Sequence, residues 1–235
     1  MIASPLARAI EFHIGAMPVT QTVVTTWVIM ACLIIGSILL TRRLSVTPSK
    51  TQTLVELIVD TVDGQIRDTM QTAPAAYRGF VGTLFVFIFV SNWSSLVPGV
   101  KPPTAHIETD AALALLVFLA VILFGVRAGG IVGYLKTFAA PSIFMVPLNF
   151  VESVTRTFSL LVRLFGNVMS GAFVVGIVLS LAGLLVPIPL MALDLLTGAV
   201  QAYIFAILAM VFIAGALGDA KAIPLQVPPQ ERPMP

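Results

Sequence analysis

"SLLVRLFGNVMSGA", residues 159–172, sets an arginine in the middle of a long apolar run. A guanidinium at the centre of a membrane helix costs about 2.5–3.5 kcal/mol on insertion scales. A residue kept at that cost is a functional candidate, so the first question is whether the run lies in lipid. The chain is 235 residues long, 58% hydrophobic and 10% charged. Soluble domains carry about 25% charged residues. A chain this poor in charge cannot cover a water-facing surface, so it is an integral membrane protein. The net charge of +2 gives no argument for nucleic acid. The single Cys32 lies inside an apolar segment. It excludes a disulfide within the chain and reads as a small buried hydrophobe. The N-terminus, "MIASPLARAIEFHIGAMP", has no apolar core of its own and no cleavable signal pattern.

Working outward from Arg163, the other segments read as helices, giving an all-α membrane protein with five membrane-embedded segments. Residues 1–18 form a segment ahead of the first span. No charge occurs between Glu11 and Arg42, so residues 19–41 are long enough to cross a bilayer. In "TLVELIVDTVDGQIRDTM", about residues 52–70, Leu54, Leu57, Ile58, Val62 and Ile66 repeat at helical spacing with acidic residues between them. That pattern predicts an amphipathic helix lying on the membrane surface. Residues 79–97 are the second span, and a Pro-rich loop, "PGVKPPTAHIETD", leads to the third. The third runs over 107–126, and the connecting segment "RAGGIVGYLKTFAAPS" follows it. Residues 142–185 read as one helix or two joined helices, and residues 189–218 as the last, one membrane domain covering 19–218. The tail 219–235 is too rich in proline to fold. Arg42, Arg43, Lys50, Arg67 and Arg78 share one side of the membrane with Arg127 and Lys136. The positive-inside rule makes that side the cytoplasm, with the N-terminus outside and the C-terminus inside. No internal repeat is visible, which argues against a transporter of inverted-repeat design.

The polar residues of the fourth segment are aligned. At roughly 100° per residue, Glu152, Arg156, Arg163 and Asn167 fall on one narrow face, with Ser159 and Ser170 close to it. Asp194 and Gln201, seven residues apart, are aligned on the last helix. In an antiparallel hairpin facing residues share a midpoint. Arg163 with Gln201 gives position 182, and Ala172 with Asp194 gives 183. Both fall in "LAGLLVPIP", where a glycine and two prolines permit the reversal. Gln201 is therefore expected beside Arg163, with Asp194 nearer the outer surface. Two roles are open to Gln201, Asn167 and the serines: packing contacts worth about 0.6 kcal/mol each, or parts of a path. Glu152 and Arg156, four residues apart, read as a pair at the cytoplasmic interface. Arg163 has no carboxylate three or four residues away, so nothing local neutralises it.

With these residues in view, the chain resembles subunit a of F-type rotary ATP synthases. "RLFGN" at 163–167 is the most specific match. "PLNFVE" at 147–152 and "QAYIFAIL" at 201–208 agree in order and spacing, and the resemblance covers about residues 12–217. It implies that Arg163 is the family's essential arginine, that Gln201 is the glutamine facing it, and that Asn167 belongs to the same motif. It implies a long, tilted hairpin of the last two helices against a ring of c subunits, and an ion path in two half-channels. Asp194, Glu152, Arg156 and Ser170 would lie along that path, with Ser95, His106, Glu108 and Asp110 toward the outer mouth, where loop charges are usually just solvated. The implied partners are the c-ring, b-type peripheral stalk subunits, the remainder of the synthase and membrane lipid, in a bacterial cytoplasmic membrane. The chain is expected to be no enzyme alone and to need no cofactor or metal. Many members carry an acidic residue or a histidine where this sequence has Ala172, so the usual two-residue relay is reduced to Asp194. "RLFGNVMSGA", "VPGVKPPT" and "LLTGAVQAYIF" look like the variant F-type ATPases often associated with sodium transport, and the ion is H+ or Na+.

The rival functions are distinct. A secondary transporter would use Arg163 to bind an anionic substrate. An intramembrane hydrolase would need a nucleophile with its base, or metal ligands. His13 and His106 lie outside the spans, and neither HExxH nor GxSxG occurs. A structural anchor leaves Arg163 unexplained.

Overall fold

The computed structural model describes residues 10–14, 17–42, 50–97, 100, 102–139, 144–182 and 187–221. Six α-helices dominate: α1 (Gln21–Thr41), α2 (Lys50–Met70), α3 (Arg78–Trp93), α4 (Ile107–Ala139), α5 (Met145–Ala182) and α6 (Pro187–Lys221). All but α2 are long and apolar enough to cross a membrane. The chain is an all-α integral membrane protein, with one small addition that its sequence pattern did not announce. Ile10–Ile14 (β1) and Met17–Thr20 (β2) pair antiparallel ahead of α1. The rest of the 1–18 segment lies outside the described residues, as do most of the 219–235 tail and the turn between α5 and α6.

The polar residues of α1 are satisfied inside the helix. The Thr25 and Thr26 hydroxyls donate to the carbonyls of Gln21 and Thr22, four residues back, at 3.0 and 2.8 Å. Most of α1 is exposed, Cys32 included. The expectation of a buried cysteine is thus corrected. In a span with so few protein neighbours, an apolar side chain is covered by lipid instead of a core.

Two clusters hold the other helices together. In one, Leu84 and Ile88 of α3 meet Leu113, Ala114 and Val117 of α4, Leu160 and Leu164 of α5, and Ala202, Phe205 and Ala209 of α6. In the other, Ile66 and Met70 of α2 meet Val81 of α3 and Ala206, Met210, Ile213 and Leu217 of α6. Helix α6 therefore contributes to both. Only the C-terminal half of α2 packs in this way. Leu54 and Leu57, nearer its start, are 62% and 61% exposed.

Two differences from the sequence reading have physical causes. The helix that carries the third span does not end at residue 126. Helix continues to Ala139 across a break at Gly130, whose φ of 70° is open to glycine and costly for other residues. Beyond the break the chain turns so that the Tyr134 ring comes within 2.6 Å of where a Cβ on Gly125 would stand. Position 125 must therefore stay without a side chain. The second difference is Asp63, which the amphipathic pattern put toward water. It is buried, and its carboxylate accepts two hydrogen bonds from the Arg78 guanidinium at the start of α3. Such a fork-to-fork pair fixes orientation as well as distance.

The hydrogen-bonded Arg78 guanidinium holds the Asp63 carboxyl below the usual aspartate range. A carboxyl with a lowered native pKa stabilises above its unfolded value of about 3.9 and loses that contribution as pH falls through the native value. Asp63→Asn is therefore expected to free the end of α2 at neutral pH. Limited proteolysis between residues 70 and 78 should then speed up in the variant and stay slow in the wild type until the medium is strongly acidic.

Candidate functional site

Helices α5 and α6 are long. At about 1.5 Å per residue, 38 and 35 residues span roughly 57 and 52 Å. A bilayer's hydrocarbon core is about 30 Å thick. Helices of that length cross it steeply tilted or run out into the interfaces. Proline is tolerated in a first helical turn, where no internal acceptor is lost. Pro147 stands there in α5, and Pro187 and Pro189 stand there in α6.

Two contacts set the register between them. The Asn167 amide donates to the Thr197 carbonyl at 3.5 Å. A Cβ built on Gly171 would collide with the Asp194 carboxylate. Residues 167 and 197 have their midpoint at 182, and 171 and 194 have theirs between 182 and 183. In this register Arg163 and Gln201 stand at one level. They turn different ways. Arg163 is exposed on the outer face of α5, whereas Gln201 is buried, and its amide nitrogen has no hydrogen-bond partner among the described residues. Among those residues Arg163 makes no hydrogen bond or ion pair either. Leu160 and Leu164, about a quarter-turn round α5 from Arg163, are fully buried in the core.

On the Asp194 side of that level lies a cleft of about 200 Å³. A cavity holds its first water at about 10–15 Å³ in the same measure, so this one has room for a chain of them. Asn167 and Ala172 of α5, Asp194 and Gly198 of α6, and Asn92 and Ser95 at the end of α3 contribute to its walls. The close approach at Gly171 lets the Asp194 carboxylate lie against the α5 backbone. Ser170 instead donates back to the Asn167 carbonyl at 3.0 Å.

The polar framework of the cleft was not foreseen. Asn92 donates to the Gly198 carbonyl at 2.8 Å and accepts from the Thr104 hydroxyl at 2.6 Å. Trp93 donates to the Leu195 carbonyl at 3.3 Å, and Ser95 donates to the Asn92 carbonyl at 2.9 Å. A lone asparagine in "FVFIFVSNWSSL" is as conspicuous in an apolar run as Gln201, and that signal could have found it. Asp110 needs correcting. Loop charges near the mouth were expected to be solvated, yet Asp110 is 0% exposed in the first turn of α4. Its side chain is on the face that α4 packs inward, not toward the loop. Glu108, two residues earlier, is exposed, and His106 is half-buried.

On the opposite side of that level, Glu152 and Arg156 form an ion pair with both side chains about half exposed. The Arg156 guanidinium lies 5.5 Å over the Phe212 ring of α6. Arg156, Ser153 and Thr157 help to line a hollow of about 30 Å³ there.

The site is thus a cleft between α3, α5 and α6, lined by a few polar side chains and ending one turn short of the level of an exposed arginine. That defines a membrane protein with a cleft set between its helices. The ATP synthase A chain family matches residues 23–214. The chain is 54% identical to an ATP synthase subunit a of a Bradyrhizobium strain, covering 93% of this chain and 98% of that one. It is 44% identical to the subunit of Albidiferax ferrireducens (89% and 92% covered) and 48% identical to one from Chlorobaculum parvum (86% and 90%). The chain belongs to the ATP synthase A chain family, whose members serve the membrane sector of the synthase and are not enzymes by themselves. A secondary transporter finds no support in these relatives.

The register can be checked chemically. With Cys32 replaced by alanine, the pair Asn167→Cys and Thr197→Cys should form a disulfide readily in the assembled complex. Asn167→Cys with Gln201→Cys, one turn away, should form it slowly or not at all. The reverse order would place the hairpin one turn out of the register described.

Proposed function

We propose that this chain is the ion-translocating stator of an F-type ATP synthase and that Arg163 discharges the ring carboxylates as they pass. The observation that carries this reading is the placement of Arg163. Among the described residues it is a cation without a counter-charge, exposed on α5 one turn beyond the end of the cleft at Asn167. The chain forms one membrane domain over about residues 19–218, with the N-terminus outside, the C-terminus in the cytoplasm and α2 along the inner surface of a bacterial cytoplasmic membrane. The exposed face of α5 meets the c-ring, and b-type stalk subunits hold the chain still.

The chemistry follows from the guanidinium. Its pKa exceeds about 12, so it stays charged in a site where a lysine could lose its proton. An opposite charge within about 4–6 Å favours an ionised carboxylate by roughly ten- to a thousandfold. A ring carboxylate arriving at Arg163 therefore releases its proton or sodium ion. It moves on and reloads on the other side of the arginine. The same fixed charge repels a free cation and keeps the outer and inner paths from joining. Water in the outer cleft brings the ion past Asp194 to the level of Asn167. Glu152, Arg156 and Ser170 flank the route, and Gln201 sits behind Arg163.

Arg163→Ala should leave the complex assembled while ATP-driven pumping and ion-driven synthesis in membrane vesicles fall to background. Arg163→Lys should recover little, since lysine lacks both the permanent charge and the planar fork. Coupled turnover near the wild-type rate in Arg163→Ala would refute the mechanism.

Asp194 separates a path from a packing contact. Asp194→Asn keeps size and hydrogen bonding but removes charge. It is expected to slow coupled transport by roughly tenfold or more, the scale of losing one proton-transfer group. Asp194→Glu should retain much of the rate. An asparagine variant pumping as fast as wild type would make Asp194 a packing residue.

A further inference from the structure

Three helices end their packed stripes in a polar residue, and all three stripes run toward the same end of the bundle. On α3 the buried stripe Leu84, Ile88 continues to Ser91. On α4 the stripe Val117, Ala114, Leu113 continues to Asp110. On α6 the stripe Ala209, Phe205, Ala202 continues to Gln201. Steps of three and four residues keep a side chain on the same helix face. The deeper members of all three stripes share one core cluster. Helix α3 runs toward the Asn92 end, while α4 and α6 run away from it, so the three steps converge there. The Asn92 bonds to Gly198 and Thr104 tie the three chains at that level. Gln201 lies one turn inward of Gly198, and Asp110 a similar distance inward of Thr104.

These residues are buried, and polar atoms of each are unpaired among the described residues. Asp110 and Ser91 are 0% exposed, and Gln201 is 6% exposed. Both Asp110 carboxylate oxygens, the Ser91 hydroxyl and the Gln201 amide nitrogen have no hydrogen-bond partner among the described residues. A buried carboxylate with no partner is strongly disfavoured, and so is a buried amide donor. Asp110 and Ser91 supply oxygen atoms, the donors that hard monovalent cations and their water prefer, and Gln201 supplies a hydrogen-bond donor to hold that water. One turn outward, Asn92 and Gly198 line the cleft that contains Asp194. These residues are thus the next stop inward from that cleft.

We propose that Asp110, Ser91 and Gln201 bind a single monovalent cation with its water, hydronium or sodium, and that Asp110 is the second carboxylate of the outer path. It takes the part for which α5 offers only Ala172. The proposal rests on the stator reading above and adds to it a site inside the α3–α4–α6 wall.

The test uses the assembled complex in sealed vesicles, with Cys32→Ala as background and the silver ion as probe, a monovalent cation close to sodium in size. In Asp110→Cys and in Ser91→Cys, silver is expected to cut ATP-driven pumping roughly tenfold, because a soft metal ion bonds a thiolate placed in its route. The cysteine-free parent should be unaffected. Ser91→Cys leaves the carboxylate in place and reports on the site even if Asp110→Cys assembles poorly. External sodium that protects both variants identifies sodium as the occupant, and protection by lowered pH alone identifies hydronium. Asp110→Asn should slow coupled transport, and adding Ala172→Glu should restore a good part of the rate. Silver without effect on either cysteine variant, or Asp110→Asn pumping at the wild-type rate, overturns the proposal. Failure of the stator reading would show separately, as full coupling in Arg163→Ala.

Discussion

A guanidinium that stays charged at any pH a cell meets has to be held at the face of an apolar helix without being neutralised. The rest of the molecule is arranged around that requirement. Leu160 and Leu164, about a quarter-turn round α5 from Arg163, are fastened into the core, which fixes the helix's rotation and keeps the arginine on the exposed face. The nearest acidic residue on its own helix, Glu152, is already paired with Arg156. The other acidic residue facing the α5–α6 hairpin, Asp194, is held two turns away from the arginine's level by its fit against Gly171. Each arrangement leaves the guanidinium without an acidic partner among the described residues.

The cleft is held by a different set of contacts. Asn92 spans from α3 to the Gly198 carbonyl and to Thr104, so the roof and one wall of the cleft are bonded to α6. Gly198 leaves little room there: a Cβ on it would stand 3.1 Å from that of Asn92. Because α6 also belongs to both core clusters, a shift at the cleft would have to move packed side chains from α2 to α5. Interiors packed to crystal-like density resist such movement. The cleft is a built feature of the resting structure.

Much of this was legible in the sequence, for identifiable reasons. Span count follows from charge-free length, which lipid imposes directly. The α5–α6 register follows from a midpoint rule, because a tight antiparallel reversal fixes which residues face each other. The position of Arg163 was conspicuous because charge is rare in these helices. What escaped depended on pairings distant in sequence or on burial that a pattern cannot show. Asp63 looks water-facing in a helical wheel, and its partner Arg78 lies across a proline turn. Asn92 gave no hint of the two groups it joins, one of them 106 residues away. Asp110 sits among loop charges, and only the packing of α4 reveals that its side chain points inward. "RAGG" reads as a loop, whereas a single glycine with positive φ lets the helix resume beyond it.

The central claim is that the Arg163 face of α5 is the surface against which a ring of carboxylate-bearing helices turns. Cysteines placed one at a time along α5 of the intact complex, each cross-linked with a short reagent, test it most directly. Positions 158, 162, 166 and 173, on the exposed face, should link to ring subunits, while positions 160 and 164, in the core, should not. Ring links confined to another helix, with none from the exposed face of α5, would contradict it.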